Sequence, residues 1–144
     1  MRAPFQILVF PFIRKENNIK YAIFKRTESD YWQGIAGGGE DAESFLDAAR
    51  RECFEEAGIS EDEKYIKLDS VSSIPVENIM SVSIWDKNIY VICEHSFGVE
   101  LSDCILKISD EHNEYKWLEY KDAINYLKWD SNKTALWELN ERIK

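Results

Sequence analysis

The sequence predicts a single α/β sandwich domain spanning residues 1–144. Its length suits one domain, and its composition, 44% apolar with five Trp, seven Tyr and seven Phe, supplies enough apolar surface for a core. Segments with strand and helix patterns follow one another through short connections, and no repeat, linker or low-complexity tract interrupts them. Strands and helices mixed in this order are typical of α/β sandwiches.

The residue pattern of each segment predicts whether it forms a strand or a helix. Runs of β-forming residues predict strands, in chain order, at residues 5–13, 19–25, 66–74, 89–99 and 114–118. Helices are predicted at residues 42–56, 121–127 and 133–143. The segment between the third and fourth strands is ambiguous, and a further strand carrying Val82 and Ile84 is one interpretation of it.

Turn and cap residues set the boundaries of these elements. An Asn-Asn pair marks the hairpin turn between the first two strands. A loop is expected at residues 29–39, and its three final glycines allow the chain to approach a ligand closely. Gly58 is a stop signal for the first helix, and Asp130 or Ser131 is expected to cap the last one.

The charge balance excludes one class of partner. Eighteen Lys and Arg residues against twenty-seven Asp and Glu residues give a net charge of −9. A chain this acidic is not expected to bind nucleic acid through bulk electrostatics. A polyanionic small molecule would have to be received through metal ions and a few local cations.

The cysteines and the apolar runs indicate a cytoplasmic protein without a membrane segment. The three cysteines, Cys53, Cys93 and Cys104, are far apart in sequence and odd in number, so we expect buried, reduced thiols. No apolar run approaches the ~20 residues of a membrane span. Residues 3–13 are apolar but interrupted by Gln6 and Pro11, which favours a core strand over a signal peptide.

Three glutamates crowd one face at the end of the first predicted helix. Glu52, Glu55 and Glu56 are spaced i, i+3 and i+4, and they lie where the helix macrodipole disfavours negative charge. Like charges at this spacing destabilise a helix by roughly 0.2–0.5 kcal/mol per pair. A divalent cation would convert that cost into a binding site, because Mg²⁺ prefers carboxylate oxygens.

A longer pattern surrounds these glutamates, G-x5-E-x7-R-E-U-x-E-E-x-G-U, where U is an apolar residue. Its positions are filled by Gly37, Glu43, Arg51, Glu52, Cys53, Glu55, Glu56, Gly58 and Ile59. The pattern resembles the signature of the Nudix hydrolases. Cys53 stands where an aliphatic residue is more usual, and Ala42 stands where many members have glycine. The alternative is a Glu-rich surface helix, which does not explain the glycine run, the Arg or the final Gly.

The resemblance implies a mixed sheet between helices and a metal-dependent active site. In that site, Glu52, Glu55 and Glu56 would hold Mg²⁺, with Mn²⁺ as an alternative. The backbone carbonyl of Ala36, which precedes Gly37 and Gly38, would join the metal shell. The resemblance gives Glu43 a supporting role and gives Arg51 the role of orienting the glutamates. An N-terminal helix charge for Glu43 and a surface ion pair for Arg51 are the structural alternatives.

A second acidic position is expected late in the chain. Residues 111–118 resemble the E-H-x-x-Y-x-W-L segment of several Nudix subgroups, so we predict Glu111 as a further metal ligand or base. The alternative is that Glu111 simply lies in a polar loop before a strand.

Basic and aromatic residues before the glycines are candidates for substrate binding. Lys25 and Arg26 could meet phosphates, with Arg suited to bidentate contact. Tyr31 and Trp32 could stack on a flat base or pterin ring. A solvated cation pair and core or rim aromatics are the alternatives.

Residues 30–33, 115–118 and 129–133 look like the subgroup that hydrolyses dihydroneopterin triphosphate and dATP. We therefore expect a pyrophosphohydrolase that cleaves a nucleoside or pterin triphosphate to a monophosphate and pyrophosphate. One alternative is a diadenosine tetraphosphate hydrolase, although the W-P-K-G loop of that subgroup is absent here. Another is a nucleotide-binding Nudix module without catalysis. Exposed strand edges make a homodimer possible.

Overall fold

A computed structural model of the chain describes residues 1–79 and 85–144. Its strands are β1 (Arg2–Lys15), β2 (Asn18–Arg26), β3 (Trp32–Gln33), β4 (Ile35–Glu40), β5 (Lys64–Pro75), β6 (Val91–Glu100) and β7 (His112–Leu118). Its helices are α1 (Phe45–Ala57), α2 (Tyr120–Tyr126) and α3 (Asp130–Ile143), with a short 3-10 turn at Val76–Asn78. The ambiguous segment with Val82 and Ile84 lies outside the described residues.

The strands form one mixed sheet in the order β3-β2-β1-β6-β5. β1 is the central strand. One of its edges pairs in parallel with β6. Its other edge pairs antiparallel with β4 over its first part and with β2 over its last residues. β7 pairs antiparallel with β2, and β5 pairs antiparallel with β6. This arrangement confirms the predicted mixed sheet.

Side-chain alternation along β1 divides the core into two layers. Ile7 and Val9 face α1 with Ala49 and Cys53, whereas Leu8 and Phe10 face the helices on the other side of the sheet. The second layer contains Ala123 of α2 together with Ala135, Leu136 and Leu139 of α3. A sheet between α1 and the α2–α3 pair is the predicted α/β/α sandwich.

The glycine run lies in a strand, so the loop predicted for residues 29–39 is wrong over its second half. Gly37 and Gly38 of β4 pair with Ile7 and Gln6 of β1. Glycine is required here for space, because a Cβ at Gly39 would lie 1.9 Å from the Phe5 ring. The glycines carry little strand propensity themselves, and pairing with β1 overrides that weakness.

The structure corrects two helix starts and confirms one helix end. α1 begins at Phe45 rather than at Ala42, and its cap is Ser44, whose side chain accepts a hydrogen bond from the Asp47 backbone N–H at 3.0 Å. Gly58 ends α1 in the left-handed conformation, with φ 68°, as predicted. The predicted cap of α3 by Asp130 or Ser131 is wrong, because Asp130 is already its first helical residue and no side chain caps it.

The cysteines are free thiols, and their burial differs from the prediction. Cys53 is buried, but Cys93 is exposed and Cys104 is partly buried, so the expectation of three buried thiols is wrong. Cys93 lies on β6 at a position whose side chain faces solvent. Within residues 1–79 and 85–144, no helix has the length and apolarity that crossing a bilayer requires.

Candidate active site

The last turns of α1 pack against β4 and bring Glu52 onto the glycine run. A Cβ on Gly37 would lie 2.3 Å from Cδ of Glu52, so this carboxyl occupies space that only glycine leaves open. Burial raises the pKa of Glu52 to about 7, against the opposing effect of Arg51, and the nearby charges of Glu55 and Glu56 raise it further. The carboxyl is thus crowded by negative charge at the edge of the sheet.

Arg51 ties the signature residues into one hydrogen-bonded network. Its guanidinium donates to both carboxylate oxygens of Glu43, at 2.8 and 3.0 Å. It also donates to Glu52 at 3.1 Å, to Glu55 at 3.3 Å and to the carbonyl oxygen of Gly38 at 2.9 Å. The hydrogen bond from Arg51 lowers the pKa of Glu43. The structure therefore brings Glu43 and Arg51 together, although Glu43 precedes the helix.

Glu56 is held on the other side by the segment that leads into β7. The Ser109 hydroxyl donates to Oε2 of Glu56 at 2.6 Å, and Nδ1 of His112 lies 3.6 Å from the same oxygen. Burial raises the pKa of Glu56, and the carboxylate of Glu111 raises it further. Glu111, which the sequence analysis chose from a separate segment, therefore lies close to Glu56.

His112 is buried beside Glu56 and Glu111, and its imidazole makes no hydrogen bond to either carboxylate. Neither of its ring nitrogens has a hydrogen-bond partner in the part of the chain that the structure describes. Burial lowers the pKa of His112, with Arg26 acting in the same direction. A neutral imidazole gives Glu56 no compensating positive charge.

The candidate ligand atoms of the site are of the chemical type that a hard divalent cation prefers. The candidate ligands are the carboxylates of Glu52, Glu55, Glu56 and Glu111 and the carbonyl of Ala36, all oxygen donors. Burial raises the pKa of Glu52 and Glu56, neighbouring carboxylates raise it further, and a dication would relieve that repulsion. Among the described residues, no three His, Cys, Asp or Glu side chains converge at metal-binding distance. Arg51 donates hydrogen bonds to Glu52 and Glu55, and Ser109 donates one to Glu56.

A cavity of about 1010 Å³ opens beside Glu52. Of the residues predicted for the site, those that line this cavity are Arg26, Tyr31, Ala36, Gly37, Gly38, Glu52 and Glu111. Residues from β1, β2, β4, β5, β6 and the start of α3 therefore meet around one space. Its size is at the upper end of the range of small-molecule sites.

Two predicted substrate contacts do not line the cavity. Trp32 is buried in the core beneath α2, with its ring 5.8 Å from that of Tyr126 and under Nζ of Lys116. Lys25 pairs with Trp32 across the β2–β3 ladder, and it is not among the residues that line the cavity, whereas Arg26 is. The placements of Trp32 and Lys25 correct the prediction, and Arg26 and Tyr31 remain as its candidates.

The cavity also has polar residues that the sequence did not single out as site residues. Arg2, Gln6 and Glu94 lie on its floor, and Ser131 and Asn132 of α3 lie at its side. The signal for Gln6 was a polar side chain inside an otherwise apolar run, whereas Glu94 is followed in its strand by His95 and Ser96 and so gave a weaker signal. The signal for Asn132 was weaker, because its buried amide accepts a hydrogen bond from the Gly34 backbone N–H at 2.8 Å, a contact set by tertiary structure.

The fold and the carboxylate network together define a class of protein, and comparison with known families agrees. The family model of the NUDIX domain matches residues 11–137. The chain belongs to the Nudix family and is a Nudix hydrolase.

Individual relatives narrow the comparison. The chain is 27% identical over 124 residues to the dihydroneopterin triphosphate diphosphatase of Haemophilus influenzae, over 85% of this chain and 78% of the relative. A Nudix hydrolase structure from Listeria monocytogenes is 45% identical, with a TM-score of 0.88, over 98% of this chain and 94% of that one. The E. coli dihydroneopterin triphosphate pyrophosphohydrolase shares the fold at 24% identity, with a TM-score of 0.79, over 96% and 97% of the two chains.

Proposed function

We propose that residues 1–144 form one metal-dependent pyrophosphohydrolase domain, which cleaves a nucleoside or pterin triphosphate to a monophosphate and pyrophosphate. The observation that carries this proposal is the position of Glu52. Its crowded carboxyl lies at the wall of a large cavity, against Gly37 and beside the Glu56–Glu111 pair. The cavity holds acidic residues together with Arg2 and Arg26, which suits a substrate whose phosphates need both metal and cations.

Each residue has a role in this proposal. Glu52, Glu55 and Glu56, with the carbonyl of Ala36, would hold Mg²⁺ or Mn²⁺. When bound, the metal would neutralise phosphate charge and lower the pKa of an attacking water. Arg51 holds the carboxylates of Glu52 and Glu55 in position by donating a hydrogen bond to each, so it is a positioning residue.

Substrate contacts come from the cavity side. Arg26 and Tyr31 both line the cavity, where Arg26 would receive phosphate oxygens and Tyr31 would offer a flat ring to the substrate. The Glu111 carboxylate lines the cavity beside Glu56, and we propose that it accepts the proton of the attacking water. The Haemophilus influenzae relative, a dihydroneopterin triphosphate diphosphatase, supports a pterin triphosphate as substrate.

A hydrolysis panel tests the activity. Dihydroneopterin triphosphate, the four dNTPs, diadenosine tetraphosphate and ADP-ribose would be incubated with Mg²⁺ and, separately, with chelator, and the products resolved. We expect pyrophosphate release from a triphosphate that stops when chelator is added. Cleavage of the dinucleotide alone would replace the proposal with a diadenosine tetraphosphate hydrolase. Nucleotide binding without any turnover would favour a binding module.

A matched pair of variants tests the metal-binding assignment. Glu56→Gln keeps the shape of the side chain but removes its charge, and we expect at least a 100-fold loss of kcat. Glu61→Gln removes an exposed carboxylate in the turn after α1 and should leave kcat unchanged. Near-normal turnover in Glu56→Gln would reject the assignment.

A further inference from the structure

A row of paired residues crosses four neighbouring strands and forms part of the cavity floor. Gly38 of β4 pairs with Gln6 of β1, Gln6 pairs with Glu94 of β6, and Glu94 pairs with Ser72 of β5. All four residues line the cavity, and directly paired residues share one face of a sheet. The row therefore leads from the glycine run beside Glu52 to the opposite end of the cavity.

Glu94 is the charged member of this row, and its carboxyl is incompletely bonded. Only 4% of the residue is exposed. Oε2 accepts a hydrogen bond from Nε2 of Gln6 at 2.9 Å, whereas Oε1 has no partner among the described residues. Buried polar atoms in native proteins are nearly always paired. A buried carboxylate oxygen left open at a cavity wall therefore points to a ligand.

The neighbours of Glu94 determine what that ligand must offer. Gln6 is fixed because its own carbonyl accepts from Arg2 at 3.0 Å, which directs its amide N–H toward Glu94. Burial raises the pKa of Glu94, while the Gln6 amide and the nearby Ser131 side chain lower it. Oε1 is an open acceptor, so the ligand must supply hydrogen-bond donors.

The row is long enough for the two ends of one substrate to bind at different residues along it. Neighbouring strands lie about 4.8 Å apart, so Glu94 stands roughly 10 Å from Gly38. If the phosphates bind beside Glu52 and Gly37, a sugar or short side chain fills the middle. The ring system then reaches Glu94.

We infer that Glu94 is a specificity-determining residue that binds the paired N–H groups of a 2-amino-4-oxo heterocycle, the edge that guanine and pterins share. Two adjacent N–H donors match the two oxygens of one carboxylate, since Oε1 is open and Oε2 keeps a second lone pair. Adenine and cytosine present a ring acceptor next to their amino group, and that acceptor would face the carboxylate. This inference rests on the proposed function, because it assumes that the phosphates occupy the Glu52 end.

Binding of two monophosphates tests the inference without turnover. dGMP and dIMP differ only in the 2-amino group, and their affinities would be compared by titration calorimetry in the presence of Mg²⁺. We expect the wild-type protein to bind dGMP about 10- to 100-fold more tightly, since one N–H donated to a charged oxygen is lost in dIMP. Equal affinities, or no measurable binding of dGMP, would overturn the inference.

Two variants test whether Glu94 causes the preference for dGMP over dIMP. In Glu94→Gln, an amide N–H₂ replaces one acceptor, so the dGMP preference should fall to within about three-fold. Glu100→Gln, farther along the same strand, alters a carboxylate that pairs with Arg14 and should keep the wild-type preference. An unchanged preference in Glu94→Gln would reject the assignment, and if that variant fails to fold, the wild-type comparison still decides. Preferential dGMP binding without hydrolysis of any triphosphate would reject the proposed function alone.

Discussion

The carboxyl of Glu52 lies in space that Gly37 leaves by having no Cβ. An alanine at this position would bring its methyl carbon within 2.3 Å of Cδ of Glu52, so one of the two groups must move. We expect Gly37→Ala to lower kcat by about 100-fold, because a displacement of about 1 Å at a reacting centre can cost that much. In Gly38→Ala the new methyl meets the flexible Arg2 guanidinium, so a smaller loss is expected. Equal kcat values for the two variants would contradict this account.

Arg51→Lys should uncouple the carboxylates while keeping the positive charge. A lysine cannot reproduce the fork that reaches Glu43, Glu52 and the Gly38 carbonyl together. We expect a 10- to 100-fold loss of kcat with little change in KM, since Arg51 does not line the cavity, and a loss of about 1–2 kcal/mol in the free energy of unfolding. The neighbouring Arg50→Lys, whose guanidinium lies over Tyr65, is the control. A rise in KM with normal kcat would show substrate contact instead of positioning.

Ala42→Gly should stabilise the protein. Ala42 has φ 70°, a left-handed conformation that is unfavourable for a residue with a Cβ. After allowance for the greater freedom of glycine in the unfolded chain, we expect the free energy of unfolding to rise by about 0.5–1 kcal/mol. Ala48→Gly, at a buried position inside α1, should instead lower it by more than about 1 kcal/mol, because a core methyl is lost together with helix propensity. Chemical denaturation of both variants measures the difference, and a loss of stability in Ala42→Gly would contradict the prediction.

Lowering the pH from about 4.5 toward 2 should weaken the contact between α3 and β5. Burial alone would raise the pKa of Glu138, but hydrogen bonds from the Asp69 and Ser70 backbone, the Ser70 hydroxyl and Arg142 lower it to about 2. Because this pKa is lower in the folded than in the unfolded state, the stabilisation is complete above about pH 4.5 and disappears as pH falls toward 2. Denaturation midpoints across this range should decline less in Glu138→Gln than in the wild type. Parallel curves would argue against the role of Glu138.

The sequence could predict the elements whose signals are local. Gly58 follows α1 in the left-handed conformation because glycine is the residue that tolerates it, and the apolar run of β1 is buried on both faces. The glutamate spacing likewise depends only on helical geometry, so the crowding of Glu52, Glu55 and Glu56 followed directly. These features need no knowledge of distant parts of the chain.

The features that the sequence could not predict depend on pairing between distant segments. The glycine run has poor strand propensity and becomes β4 only because β1 lies beside it. Trp32 faces the core rather than the cavity because β3 pairs with β2 in one particular register. Glu94 belongs to the cavity floor because β6 runs parallel to β1 and sets it opposite Gln6. A change of one residue in any of these registers would reverse which side chains face the cavity.

The parallel pairing of β1 with β6 also has a consequence for folding during synthesis. β1 leaves the ribosome just before β2 and can form its hairpin with β2 soon afterwards, but its other edge pairs with β6, which emerges only after β4, α1 and β5. Until then, an apolar strand with unsatisfied backbone groups is exposed to other chains. The nascent protein should therefore be most prone to aggregation, and most dependent on chaperones, in the interval between translation of α1 and completion of β6.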